Sequence, residues 1–251
     1  MQFLVFQMQA ALASWGDVAV GEYRGSREHP GASALVGLLG AALGVKRDDE
    51  AAHAALRDGY AFAVGTVAPG DLLRDFHTAQ VPGRSAMKHR PHRTRRDELA
   101  VPKRDLNTIL STRDYRQSGA WAVAVQPLAS APHALGALAQ ALRQPRFVLY
   151  LGRKCCPPAA PLAPIVTDAE SAHAALSAYL AAANPPATLQ SLAWGDGVEA
   201  GIAAHLSAPR KDRLIRRRGW QFGDRTEHLA LMAKAAQGAE AVQAAHPAQD
   251  D

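Results

Sequence analysis

The sequence of 251 residues predicts an α+β protein: an N-terminal βαββαβ unit with one projecting insertion, followed by a smaller β-rich region. Three observations lead there. Short runs rich in Phe, Leu and Val alternate with Ala/Leu stretches of helical period. One long basic segment, nearly free of apolar residues, breaks that alternation. Beyond residue 150 the pattern turns Pro-rich, then helical, then strand-like.

The elements follow in order. Gln2 to Met8 is a buried strand, and residues 9–32 form a Gly/Pro-containing loop with Trp15, Tyr23, Arg24 and Arg27. A helix starts near Ser33, the expected N-cap, presents Leu35, Leu38, Leu39, Ala42 and Leu43 at 3.6-residue spacing, and stops at Gly44. A second helix, about 49–57, has acids in its first turn and leads into the strand 60–67. After Pro69-Gly70 comes a short segment, 72–78, and then the basic insertion, about 80–105. Periodicity returns at 107–116, a strand follows at 121–126, a helix at 133–143 and a strand at 147–151. Strand, helix, strand, strand, helix, strand is the order of ferredoxin-like and RRM-like units. The domain reading is therefore residues 1–150 for that unit, 151–225 for a small C-terminal region, and 226–251 for a frayed or disordered tail. Within the second part a helix is expected at 168–183, with short strands near 188–194, 198–206 and 213–222.

Charge locates the function. The formal net charge is +5, but residues 84–104 alone carry +6 and residues 210–218 alone carry +5, so the remainder is acidic at −6. Of 28 basic residues 22 are arginine, the side chain suited to forked phosphate and base-edge contacts. A solvated surface loop is the bland account of such a run. The length of the apolar-poor stretch, the arginine preference and the second patch favour nucleic acid instead. No apolar run is long enough to span a membrane, and no charged n-region precedes the first apolar run, so a cytoplasmic protein is expected. The only cysteines, Cys155 and Cys156, are adjacent. That spacing gives neither a disulfide framework nor a zinc site.

Several motifs admit both a functional and a plain structural role. Gly37 and Gly40 lie inside an amphipathic helix that Gly44 ends, and no Gly-Lys-Ser/Thr follows, so they read as packing glycines rather than a nucleotide loop. The free N–H groups near Ser33 are a candidate phosphate site. His77 is a candidate general base of a metal-independent ribonuclease, against the alternative of a structural histidine. His89 and His92 lack the companions a metal needs. Tyr150-Leu151-Gly152-Arg153-Lys154 ends a strand in a turn with two cations, suited to a phosphate clamp beside a stacking ring. No cofactor loop is present, and none is expected.

The strand and loop ending Met8-Gln9-Ala10…Ser14-Trp15-Gly16 carry a resemblance, as do Pro30…Ser33 with the helix through Gly44 and Arg47-Asp48-Asp49. Arg74-Asp75-Phe76-His77-Thr78 and Tyr150-Leu151-Gly152-Arg153-Lys154-Cys155-Cys156-Pro157 complete it. Together, over about residues 1–225, they resemble the CasD family of the RAMP superfamily. This is the subunit of type I-E CRISPR surveillance complexes (Cascade) that holds the 5′ handle of the crRNA. The resemblance implies a non-catalytic RNA-binding subunit with an RRM-like domain and a thumb, here the 80–105 insertion. It implies the backbone subunit CasC and the large subunit CasA as partners, and target DNA only indirectly. Family members have Thr, a basic residue, Ser and Gly after the proline. Here Gly31, Ala32, Ser33 and Ala34 follow, with Arg24 or Arg27 as candidate replacements for the missing cation. The expected RNA surface is Gln9, Trp15, Arg24, Arg27, Ser33, Lys103, Arg104, Tyr150, Arg153 and Lys154, with no metal and no catalytic residue. Trp15 and Tyr150 would stack bases, and the arginines would grip phosphates.

Overall fold

The structure, a computed structural model, describes residues 1–19, 21–90 and 93–232. In chain order it contains β1 (Gln2–Ala13), β2 (Tyr23–Arg24), α1 (Ala32–Leu43), α2 (Glu50–Gly59), β3 (Tyr60–Ala68) and β4 (Asp71–Pro82). There follow α3 (Arg95–Leu99), a 3-10 turn (Lys103–Asp105), β5 (Leu106–Pro127), α4 (Leu135–Arg143), β6 (Ile165–Asp168) and α5 (Ala172–Ala181). The last elements are β7 (Ser191–Gly195), β8 (Leu206–Arg216) and β9 (Gln221–Leu231).

Among the described residues nine strands form one sheet in the order β6-β1-β5-β3-β7-β9-β8, with β2 and β4 pairing onto β5. In the row β6, β1, β5 and β3 each strand runs antiparallel to its neighbour. With α1 and α4 as crossovers they form the βαββαβ arrangement expected from the sequence. The α+β class stands, with corrections to individual elements. The fourth strand is Ile165–Asp168, not 147–151. Leu149 and Leu151 are buried, but Val148 is 85% exposed and the segment is irregular, with no strand pairing. Of the segment read as a tail, residues 226–231 belong to β9, and 233–251 lie outside the described residues. No strand forms over 198–204, and the single strand expected at 213–222 is the turn-containing junction of β8 and β9.

Both faces of the central sheet are covered, which explains why its strands read as continuous apolar runs. Leu4, Phe6 and Met8 of β1, with Trp121, Val123 and Val125 of β5, pack beneath α1 and α4. Phe3, Val5, Ala63, Ala122 and Ala124 turn to the opposite face and meet Ala172, Ala175 and Leu176 of α5. Alanine on both partners lets α5 lie close to the sheet. The face on which RRM-type sheets stack bases is therefore occupied by α5.

β5 has two environments. Its second half lies between β1 and β3, whereas residues 106–115 pair only with β4, and locally with β2, to form a projecting arm, with β1 joining from Arg116 onward. Leu72, Phe76 and Ile109 are more than half exposed along it. The basic insertion is the tip of this arm, between the end of β4 and the start of β5. Its root is locked by Asp114, which is 1% exposed. That carboxylate accepts Arg74 Nε at 2.9 Å, Arg74 Nη2 at 3.1 Å and the Tyr23 hydroxyl at 2.5 Å. The Arg74 guanidinium, helped by Tyr23, holds the Asp114 carboxyl below the usual carboxylate range against the opposing effect of burial.

Candidate nucleic-acid interface

A cleft of about 800 Å³ opens on the helical side of the sheet, walled by the loop after β1, α1, the segment 147–153 and the β8–β9 hairpin. Each wall has a local cause. Gly152 adopts φ +89°, and a Cβ there would come within 1.7 Å of the Ser14 carbonyl oxygen. Only glycine allows the 150–153 turn to sit so close to the end of β1. The turn is tied in place by Ser14 N–H donating to Leu151 O (3.0 Å) and Leu151 N–H donating to Cys156 O (2.7 Å). On the opposite wall the hairpin folds back over α2. There the Glu50 carboxylate accepts the backbone N–H groups of Arg217 (2.9 Å) and Arg218 (2.7 Å). Those two hydrogen bonds hold the Glu50 carboxyl below its ordinary value.

Five of the ten expected residues line this cleft: Trp15, Arg24, Ser33, Tyr150 and Arg153. The other five do not. Gln9 is exposed on β1 and donates to Gln7 Oε1. Arg27 is engaged with Asp17 at 3.0 Å. Lys103 and Arg104 stand on the 3-10 turn at the arm tip, and Lys154 is exposed beyond the cleft rim.

Two expectations about the lining residues change. Trp15 is 2% exposed and meets Trp121 edge-on, with ring centroids 5.0 Å apart and planes at 87°. Its ring faces are committed to the core, so it does not offer a stacking face. The N-cap of α1 is Gly31, not Ser33, and the helix N-terminus already holds an anion. Asp212 Oδ2 accepts the Ala32 N–H at 2.9 Å. Gly31 is needed there, because a Cβ would lie 2.3 Å from that oxygen.

Asp212 also explains part of the second basic patch. Arg210 is buried and ion-paired with Asp212 (3.1 Å) and Glu227 (2.7 Å), and Arg225 joins both carboxylates at 2.6 and 2.8 Å. His29 meets the other oxygen of Glu227 at 3.2 Å. Burial alone would raise the Glu227 carboxyl, but the His29 hydrogen bond and the Arg210 charge outweigh it and hold the group well below the carboxylate range. Arg210 is thus a structural cation. Lys211 and Arg217, from the same run, face the cleft together with Arg47.

Arg153 is braced rather than free. Its guanidinium lies 4.5 Å from the Tyr115 ring centroid and donates to the carbonyls of Asp114 and Arg24, each at 3.3 Å. This ties the cleft wall to the arm root. The Arg24 side chain donates to Gly21 O and Tyr23 O, so both cations are pre-set in the loop.

Sequence reasoning left Arg47, Lys211, Arg217 and Trp220 unassigned as site residues. Arg217-Arg218-Gly219-Trp220 is a hairpin turn with an aromatic at its end, and that local signal could have marked it. Among the described residues three buried side-chain polar atoms lack a hydrogen-bond partner: Trp15 Nε1, His53 Nδ1 and Arg217 Nε. All three residues line the same cleft. His77, the candidate base, lies on the arm and pairs with Asp75, away from the cleft lining. No cluster of three or more His, Cys, Asp or Glu side chains suited to a metal occurs among the described residues.

A family model described as CRISPR-associated protein (Cas_Cas5) matches residues 3–225. The CRISPR system Cascade subunit CasD of Escherichia coli (strain K12) is 30% identical over 160 residues, 64% of this chain and 69% of that protein. A chain of a structure titled as a CRISPR RNA-guided surveillance complex superposes with a TM-score of 0.61 at 21% identity, covering 91% of this chain and 89% of the other. A crystal structure of a Cas protein gives 0.59 at 24% identity, covering 91% and 94%. These two likenesses show the fold.

Proposed function

The chain belongs to the CRISPR-associated Cas5 family, alongside the Cascade subunit CasD, and on that premise we propose that it holds the 5′ handle of a crRNA without cutting it. The observation that carries this reading is the cleft itself. Arg24, Arg47, Arg153, Lys211 and Arg217 converge on it, and the three partnerless buried polar atoms sit on its lining residues. Buried polar groups in native proteins are nearly always satisfied. A polar, anionic ligand answers both the excess positive charge and the unmet hydrogen bonds. Tyr150 is the aromatic available for base contact from the 150–153 turn, and Arg24 and Arg153 are the braced phosphate ligands.

Single-stranded RNA is favoured over duplex by shape, because the cleft is a walled recess beside aromatic side chains rather than an open groove. With α5 over the sheet, RNA engages the helical side. The arm and its basic tip act as the thumb toward a neighbouring backbone subunit such as CasC, with Lys103 and Arg104 at that contact or on the RNA beside it. The exposed side of β8–β9 is the face offered to a large subunit such as CasA. Site specificity for target DNA then comes from guide pairing. No described helix is long and apolar enough to cross a membrane, and a cytoplasmic setting suits a guide-RNA complex.

The test is binding of repeat-derived RNA to the purified chain across a salt titration. Replacing Arg153 and Lys154 by Ala should lower affinity and flatten the dependence of log K on log salt. An unchanged salt slope would remove these two cations from the interface.

A further inference from the structure

We propose that Arg47 and Arg217, held together by Trp220, form a two-guanidinium clamp for a single phosphate group on the hairpin wall of the cleft. The inference rests on the reading of the cleft as an RNA site and adds a subsite on the wall opposite the 150–153 turn.

The guanidinium carbons of Arg47 and Arg217 lie 5.4 and 5.5 Å from the centroid of the Trp220 ring. Two like charges therefore share one indole. Cation–π attraction to each is what opposes their mutual repulsion. Among the described residues neither guanidinium has a carboxylate within ion-pair distance, although Arg57, Arg74, Arg210 and Arg225 all do. Glu50 is near, but both its oxygens are taken by the backbone of the hairpin turn.

The Arg217 side chain has a cleared path into the cleft. Its Nη2 passes over Gly37 of α1, where a Cβ would stand 2.9 Å away. One of the glycines that resembled a nucleotide loop is thus a slot for an arginine. Along that path the Nε is buried without a partner. Burial, and then the neighbouring Arg47 charge, lower the proton affinity of Arg217. Trp220 is itself 54% exposed and sits at φ +52°, an unusual backbone for a bulky residue. It is anchored by its own N–H donating to Arg217 O at 3.1 Å and by the stacked Phe222 ring, 6.2 Å away.

An assembly that gathers two unpaired cations and leaves a buried donor open is matched by a tetrahedral oxyanion. A phosphate presents several acceptors at once to forked donors. Trp220 is then a positioning residue, and Arg47 and Arg217 are the ligands. Two sources share this chemistry: an internal phosphodiester of the strand, or a terminal 5′-phosphate.

The experiment is a salt titration of binding to single-stranded RNA carrying the 5′ handle, made in two forms, with a 5′-hydroxyl and with a 5′-phosphate. Arg47→Ala and Arg217→Met should each weaken binding about tenfold and lower the salt slope by about 0.7, the increment for one phosphate on a single strand. The double variant should lose the same 0.7, because both side chains serve one group. Trp220→Leu should weaken binding, and Trp220→Phe should restore most of it. If the phosphate is internal, both RNA forms respond alike. If it is terminal, wild type prefers the phosphorylated form and the double variant loses that preference. A double variant with the wild-type slope overturns the clamp, and so does an additive loss near 1.4. Arg47 is exposed, so Arg47→Ala keeps the test decisive should Arg217→Met fail to fold. Wild-type protein with no salt-dependent RNA binding would instead bring down the cleft reading, and the clamp with it.

Discussion

The carboxylate of Asp212 on β8 caps the backbone of Ala32 at the start of α1, 180 residues away in sequence, with Oδ2 accepting the N–H at 2.9 Å. Asp212 holds the helix N-terminus and two arginines at once, since Arg210 and Arg225 both reach it. Asp212→Ala removes one anion from a nearly buried cluster and leaves Arg210, 4% exposed, with Glu227 as its one carboxylate partner. A stability loss of about 3–5 kcal/mol is expected, as when one partner of a buried ion pair is removed. Urea denaturation measures it. A loss below about 1 kcal/mol would mean that the cluster is not a stabilising unit.

Acid should weaken both this cluster and the arm root. The Glu227 and Asp114 carboxyls are both held below their ordinary values in the folded protein. A carboxyl depressed on folding contributes stability that is fully present above its unfolded pKa, about 4, and is lost as pH falls through the lower folded value. The urea midpoint should therefore carry no loss from these groups above about pH 5, and should fall steadily below about pH 4. Glu227→Gln should start from a lower midpoint and show a shallower acid limb. An acid limb as steep as wild type would exclude Glu227 as a source of it.

Gly152 gives a test that separates the cleft wall from the core. Gly152→Ala combines a positive φ with a contact to Ser14 O that no side chain can accept. The turn must move, taking Arg153 off Tyr115 and the Arg24 carbonyl. RNA affinity should fall at least as far as in Arg153→Ala, while the far-UV circular dichroism spectrum stays close to wild type. Normal RNA binding by Gly152→Ala would show that the position of the turn does not matter to the ligand.

Nuclease activity is addressed by incubating the protein with labelled repeat RNA in EDTA. The expected result is intact RNA that co-elutes with the protein, unchanged by His77→Ala. Cleavage lost on His77→Ala would replace the holding role with metal-independent processing.

The βαββαβ order was legible because each strand is an apolar run and each helix an apolar stripe, and local pattern survives into the fold. The edge strand was not. Phe147–Leu151 has the stronger β-forming composition, yet the place beside β1 went to Ile165–Asp168, pairing Leu4 with Val166. That choice depends on tertiary reach, since Leu149 and Leu151 are needed under α1 and α4. At the cleft, charge marked the hairpin that forms one wall but not which of its cations were spent on ion pairs. Arg210 and Arg217 look alike in sequence. Strand alternation and the position of Asp212 make the first structural and leave the second facing the cleft. Trp15 misled for a similar reason: a tryptophan in a polar loop reads as exposed until Trp121 is found against it.

β5 spans 22 residues in one strand, about 70 Å of chain that is extended except at Ser118 (φ +58°) and serves the arm at one end and the core at the other. Side-chain parity carries across Ser118, since Tyr115 on the arm side and Trp121, Val123 and Val125 on the body side join the same core cluster. Inserting or deleting one residue between 106 and 117 would invert the side-chain parity of everything on one side of the change, turning either Trp121 and Val123 or the arm's outer residues to the wrong face. Changes of two residues keep parity. The arm can thus be lengthened or shortened only in paired steps, or with a compensating bulge, and it cannot be exchanged as a detachable cassette.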